Sequence, residues 1–84
     1  MEKTIHTRDH ATFLRVLKQV REDAGVTQIA LAEAIDKTQS FVSKVERGET
    51  RLDIIQLRTV LIALGTTLPA FAARLEKELG KKKA

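Results

Sequence analysis

The stretch between Gly25 and Gly48 has room for two short helices and a sharp break between them. Thr27 stands just ahead of Gln28–Ile35, and Thr38 just ahead of Gln39–Arg47. A threonine hydroxyl in that position accepts the orphan N–H groups of a first helical turn. Leu31 and Ile35 fall on one face of the first segment, Val42 and Val45 on one face of the second. Asp36-Lys37-Thr38 is the break, and Gly48 ends the second segment in the way glycine commonly does. Ala32 is small where the first helix must approach the second closely. Such a chain is committed early to two helices that cross at a tight turn, with little freedom elsewhere.

The remainder reads as further helices. Thr7 caps a first helix from about Arg8 to Ala24, with Phe13, Leu14, Leu17, Val20 and Ala24 at spacings of three and four. Gly25 ends it. Asp53 caps a fourth helix whose stripe is Ile54, Leu57, Val60, Leu61 and Leu64, stopped by Gly65. Thr66 or Thr67 caps a fifth, over about 68–79, with Pro69 in its first turn, where a missing N–H costs nothing. Phe71, Ala72, Leu75 and Leu79 share its face. No segment alternates apolar and polar over a strand length. The expectation is an all-α, compact five-helix bundle occupying 1–84 as one domain, with 80–84 as a flexible tail.

Composition removes several functions. Hydrophobic residues are 43% and charged residues 31%, an ordinary soluble composition. There is no cysteine, and His6 and His10 have no third ligand nearby in sequence, so no metal and no cofactor is expected. The two histidines read as solvated or capping residues. There is no apolar run of the ~18–20 residues that a membrane span needs, and no signal-peptide core at the start, so a cytoplasmic protein is expected. No nucleophile–base pair and no glycine-rich phosphate loop stands out, so no enzyme is expected. The net charge is +4, but Lys81, Lys82 and Lys83 supply most of it. Without them twelve basic residues face eleven acidic ones, an excess of +1. A polyanionic partner must therefore be argued from where the bases sit.

The caps, the break and the stripes of 27–47 fit a helix-turn-helix, whose second helix enters the DNA major groove. The stretch resembles the Cro/C1-type helix-turn-helix family, also called the XRE family. The resemblance is carried by Gly25, Thr27-Gln28, Leu31-Ala32, Ile35, Thr38-Gln39, Val42-Ser43, Val45-Glu46 and Gly48, and then by Arg51–Ile55 and Ala63-Leu64-Gly65. It covers roughly residues 12–66. One departure is Asp36, where the family commonly has glycine; aspartate tolerates the left-handed conformation better than most residues. The resemblance implies a lambda-repressor-like five-helix DNA-binding domain, acting as a homodimer on a pseudo-palindromic operator. A transcriptional repressor is the expected function, whether of the phage, restriction-controller or antitoxin kind.

Position assigns the roles. Gln39 opens the second helix of the motif and faces base edges, where a glutamine amide matches adenine N6 and N7. Ser40 and Lys44 share its outer face, and Phe41 is expected to be exposed there against a thymine methyl. Gln28 is expected at a phosphate, at a helix N-terminus that favours anions. Lys37, Thr50 and Arg51 flank the reading helix and are expected to hold phosphates, which fix register without reading sequence, and Ser43 within that helix is expected to reach a phosphate or a base. Arg51 could instead pair with Asp53 or Glu49. Glu46, which DNA would repel, is expected to pair with Arg21. Phe71, Leu75 and Leu79 either close the monomer core or form a dimer seam with Ile62 and Leu68; the resemblance favours a dimer contact near the C-terminal helices. The competing function is a protein-interaction module that binds a toxin or another partner protein; the polar, cation-bearing face of Gln39, Ser40 and Lys44 counts against it.

Overall fold

The computed structural model describes residues 7–81. Five helices follow in order: α1 Arg8–Asp23, α2 Gln28–Ala34, α3 Gln39–Glu46, α4 Ile54–Ala63 and α5 Leu68–Lys81. His6 lies outside the described residues, as does the tail beyond Lys81.

Side-chain caps start every helix. Thr7 accepts from the N–H of His10 at 3.1 Å, Thr27 from Ala30 at 3.0 Å and Thr38 from Phe41 at 3.0 Å. Asp53 accepts from Gln56 at 2.7 Å, and the Gln56 side chain accepts from the Asp53 N–H at 3.0 Å, closing a reciprocal capping box. Thr67, not Thr66, caps α5 by accepting from Ala70 at 3.3 Å.

The first four helices share one kind of ending. In each, the N–H two residues beyond the C-cap reaches back to a carbonyl five residues earlier: Val26 to Arg21, Lys37 to Ala32, Glu49 to Lys44 and Thr66 to Leu61. This Schellman closure needs a left-handed residue in the middle. Glycine takes that place in three cases, and at the helix-turn-helix break Asp36 takes it, with φ 60°. The turn therefore forms without glycine, at a conformational cost. Asp36→Gly is expected to raise stability by up to about 1 kcal/mol by removing that cost. Urea denaturation checks it; a loss of stability would show that the aspartate side chain contributes more than its backbone costs.

Val16, Leu17, Leu31, Ala32, Val42, Val45, Leu57, Val60, Leu61, Leu64 and Phe71 form the core. α2 packs on α3, α1 lies against α3 and α5, and α4 meets α2 and α5. Gly48 sits where α3 ends against α1: a Cβ there would stand 3.2 Å from Leu14 Cδ1. Two exposed ion pairs tie α5 to α1, Arg15–Glu78 and Arg74–Asp23, each at 3.2 Å. The amide of Gln19, and then the guanidinium of Arg74, hold the Asp23 carboxyl below its usual range.

The helical stripes need correction at their ends. Ile54 does not join the core; it is 61% exposed, and Leu52 packs in from the preceding loop instead. Ala24 and Ala72 are also exposed. Val16 and Thr12, outside the expected stripe of α1, are buried. Thr12 settles its hydroxyl by donating to the carbonyl of Arg8 at 3.1 Å. α5 runs through Gly80 to Lys81, so Gly80 and Lys81 are helical where a flexible tail was expected. Glycine costs about 1 kcal/mol inside a helix, a small penalty in a last turn. Among the described residues no single helix is long and apolar enough to cross a membrane.

Candidate nucleic-acid interface

Thr38 and the left-handed Asp36 aim α3 outward from the bundle, and Val42 and Val45 anchor its inner face. That leaves Gln39, Ser40 and Lys44 exposed on one outer face. Lys37, before α3 in the chain, and Arg51, after it, are exposed too. Thr50 is half-buried, and its N–H donates to the Lys44 carbonyl at 3.3 Å, closing the loop over the end of α3. Among the described residues Arg51 has no ion-pair partner; Glu49 is taken by Arg47.

Phe41 is not the exposed aromatic that was expected. It is half-buried and lines an apolar cleft with Ile35, Leu52 and Val60, between α3 and α4. The Lys37 ammonium lies 5.3 Å from its ring centroid, within cation–π range. The ring gains more from this cleft than from water, and periodicity could not reveal a cleft made partly by the Leu52 loop.

A chain of hydrogen bonds runs from the core to the outer face. Arg21 and Glu46 form the expected pair, with side chains only 10% and 9% exposed. Arg21 Nε donates to Glu46 Oε2 at 2.6 Å and Nη2 to Oε1 at 3.2 Å, while Nη1 donates to the Val26 carbonyl at 2.8 Å. Gln28 Nε2 donates to Glu46 Oε1 at 2.9 Å. Gln39 Nε2 then donates to Gln28 Oε1 at 2.9 Å. Both ends of the Gln28 amide are therefore engaged inside the protein, and the two glutamines act as one unit.

Arg47, which was not among the expected residues, is the C-cap of α3, one turn beyond Ser43. Its guanidinium donates to the Ser43 hydroxyl, and to Glu49 at 3.0 and 3.2 Å. The hydrogen bonds and charge of Glu49 raise the Arg47 pKa, and those of Arg47 lower the Glu49 carboxyl. The i,i+4 spacing of Ser43 and Arg47 was the available signal. Among the described residues no group of His, Asp or Glu is placed to hold a metal ion. His10 lies against Phe13, with ring centroids 5.6 Å apart.

Comparison with known proteins agrees with this geometry. Residues 17–71 match the model of the Helix-turn-helix family. No curated protein matches the chain. Among solved structures, the XRE-family like protein from Pseudomonas syringae pv. tomato str. DC3000 is 39% identical with a TM-score of 0.79, covering 88% of this chain and 90% of that one. The restriction-modification controller protein C.Esp1396I, solved as a tetramer in complex with its natural 35 base-pair operator, is 26% identical with a TM-score of 0.78. That match covers 87% of this chain and 96% of the controller. The clp gene regulator ClgR from C. glutamicum is 28% identical with a TM-score of 0.73, covering 93% of this chain and 96% of that one. With its turn, its outward α3 and a family match over most of its length, the chain belongs to the XRE family of helix-turn-helix transcriptional regulators.

Proposed function

We propose that the chain binds a pseudo-palindromic operator as a homodimer, lays α3 in the major groove, and represses transcription by occupying that site in the cytoplasm. The observation that carries the reading is the outer face of α3. Gln39, Ser40 and Lys44 stand exposed together on a helix whose opposite side is locked into the core. Gln39, Ser40 and Lys44 are the base readers in this proposal. Lys37, Arg51, Ser43 and Thr50 hold phosphates, joined by Arg47 once a phosphate competes it away from Glu49. Gln28 serves chiefly by holding Gln39. Phe41, turned into its cleft, is not among the readers.

A single α3 spans only a few base pairs, so two copies about one helical turn apart, ~34 Å, are needed for a specific site. Ile55 and Ile62 of α4 are 67% and 53% exposed, and Ile62 lines a shallow apolar surface with Leu68 and Pro69. We place the dimer seam there. The controller bound to its operator as a tetramer supports both the DNA and the assembly. Nothing on α3 favours a toxin-binding reading over this one.

Selection of bound duplexes from a random pool tests the proposal, with a palindromic consensus as the expected result. Gln39→Ala is expected to relax one symmetric pair of positions, since a bidentate contact discriminates by about 1–3 kcal/mol. Arg51→Ala is expected to weaken all duplexes about equally and to reduce the salt slope by about 1. Absence of any enriched sequence at low salt would replace the operator reading with that of a protein-interaction module.

A further inference from the structure

We infer that Glu46, held by Arg21, fixes which way round Gln39 presents its amide, and thereby selects adenine over guanine at the base Gln39 reads. The inference rests on the proposed role of Gln39 as a base reader.

The two ends of a glutamine amide have nearly the same shape, so its direction is set by its hydrogen-bond partners. The Glu46 carboxylate can only accept. It is buried, and Arg21 cannot swing away from it, because Nη1 is tied to the Val26 carbonyl at 2.8 Å. Gln28 must therefore turn its NH2 toward Glu46 and its carbonyl outward. That carbonyl can only accept, so Gln39 must turn its NH2 toward Gln28. One N–H of Gln39 is consumed in this bond. What remains for DNA is its carbonyl oxygen and a single N–H. Adenine offers the complement, an N6 donor and an N7 acceptor, whereas guanine offers two acceptors, N7 and O6. Glu46 is thus a positioning residue: it lies on the buried side of α3 and acts through two amides.

Glu46→Gln supplies a sharp test because it keeps the shape and breaks the direction. The new amide oxygen is drawn to the Oε2 place, where Arg21 Nε approaches to 2.6 Å. Its NH2 then deprives Arg21 Nη2 of its acceptor at the Oε1 place and faces Gln28, which must reverse, and Gln39 reverses in turn to present two donors outward. Those suit guanine. Arg21→Met with Glu46→Leu removes the constraint altogether and serves if the single variant does not fold.

The probe is the duplex most enriched by the wild-type full-length chain, and the same duplex with A·T changed to G·C at the positions relaxed by Gln39→Ala. Competition binding reads the ratio of affinities. Wild type is expected to prefer A·T by about tenfold. Glu46→Gln is expected to shift that ratio at least tenfold toward G·C, and the double variant to bring it within about threefold of unity. A folded variant that weakens both duplexes equally, with the ratio unchanged, overturns the inference and leaves Glu46 a purely structural role. If Gln39→Ala relaxes no position of the selected duplex, the inference falls as well, but by removing Gln39 as the reader, and that variant alone reveals it.

Discussion

Arg21→Met alone is expected to lower stability by about 3–5 kcal/mol, whereas Arg21→Met combined with Glu46→Leu is expected to stay within about 2 kcal/mol of wild type. The asymmetry comes from desolvation. Both side chains of the pair are about nine-tenths buried, so removing the cation strands a carboxylate in the interior with only the Gln28 amide beside it. Removing both charges takes away the attraction together with the cost of burying it. The apolar pair still leaves the Val26 carbonyl and the Gln28 amide short of a partner, which is why full recovery is not expected. Urea denaturation of both variants and of wild type checks this. A single variant within 1 kcal/mol of wild type would mean that water reaches the carboxylate. The pair joins α1 to α3 across 25 positions of sequence, so the same measurement reports how firmly the reading helix is seated.

Much of this architecture was legible because short-range chemistry dictates it. Thr27, Thr38 and Asp53 cap where their residue type and the following stripe require, and the family pattern leads directly to Asp36 as the left-handed residue of the turn. The Arg21–Glu46 pair was legible as well, since a carboxylate on a helix meant for DNA needs a cation of its own. The errors fall where local spacing stops deciding. Ile54 fits the α4 stripe by count, but the loop residue Leu52 packs against the core there first. Phe41 sits on an outward position by count, yet the α3–α4 cleft offers it burial and the Lys37 ammonium. The relay from Glu46 through Gln28 to Gln39 was invisible for a different reason. Spacing can bring side chains near one another, but the direction of an amide depends on what every partner donates or accepts.

Phe71→Ala is expected to cost about 3–5 kcal/mol, and to do so equally at low and high protein concentration. Phe71 is 3% exposed and meets Phe13 edge-on, with ring centroids 5.8 Å apart, so it closes the core of one chain between α1 and α5. It is therefore not free to form a seam between two chains. At about 4–8 °C per kcal/mol, Tm falls by at least about 12 °C. Ile62→Glu is expected to do the reverse. Ile62 is 53% exposed, so the monomer should change by only about 0.5 kcal/mol. A charge placed on the proposed seam should however separate the dimer and sharply reduce affinity for a two-half-site operator, since each half-site then binds without help from the other. Thermal melts at two concentrations, with sedimentation of each variant, tell the roles apart. Coupling between association and folding makes a variant's Tm deficit depend on concentration only where the replaced residue stabilises the assembly. A concentration-dependent Phe71→Ala deficit would move the seam to the face of α5. An Ile62→Glu chain that still sediments as a dimer would remove α4 from it. With the seam on α4 as proposed, Phe71 and Leu75 of α5 pack into the bundle instead, and Ile55 and Ile62, with the neighbouring Leu68 of α5, set the distance between the two copies of α3.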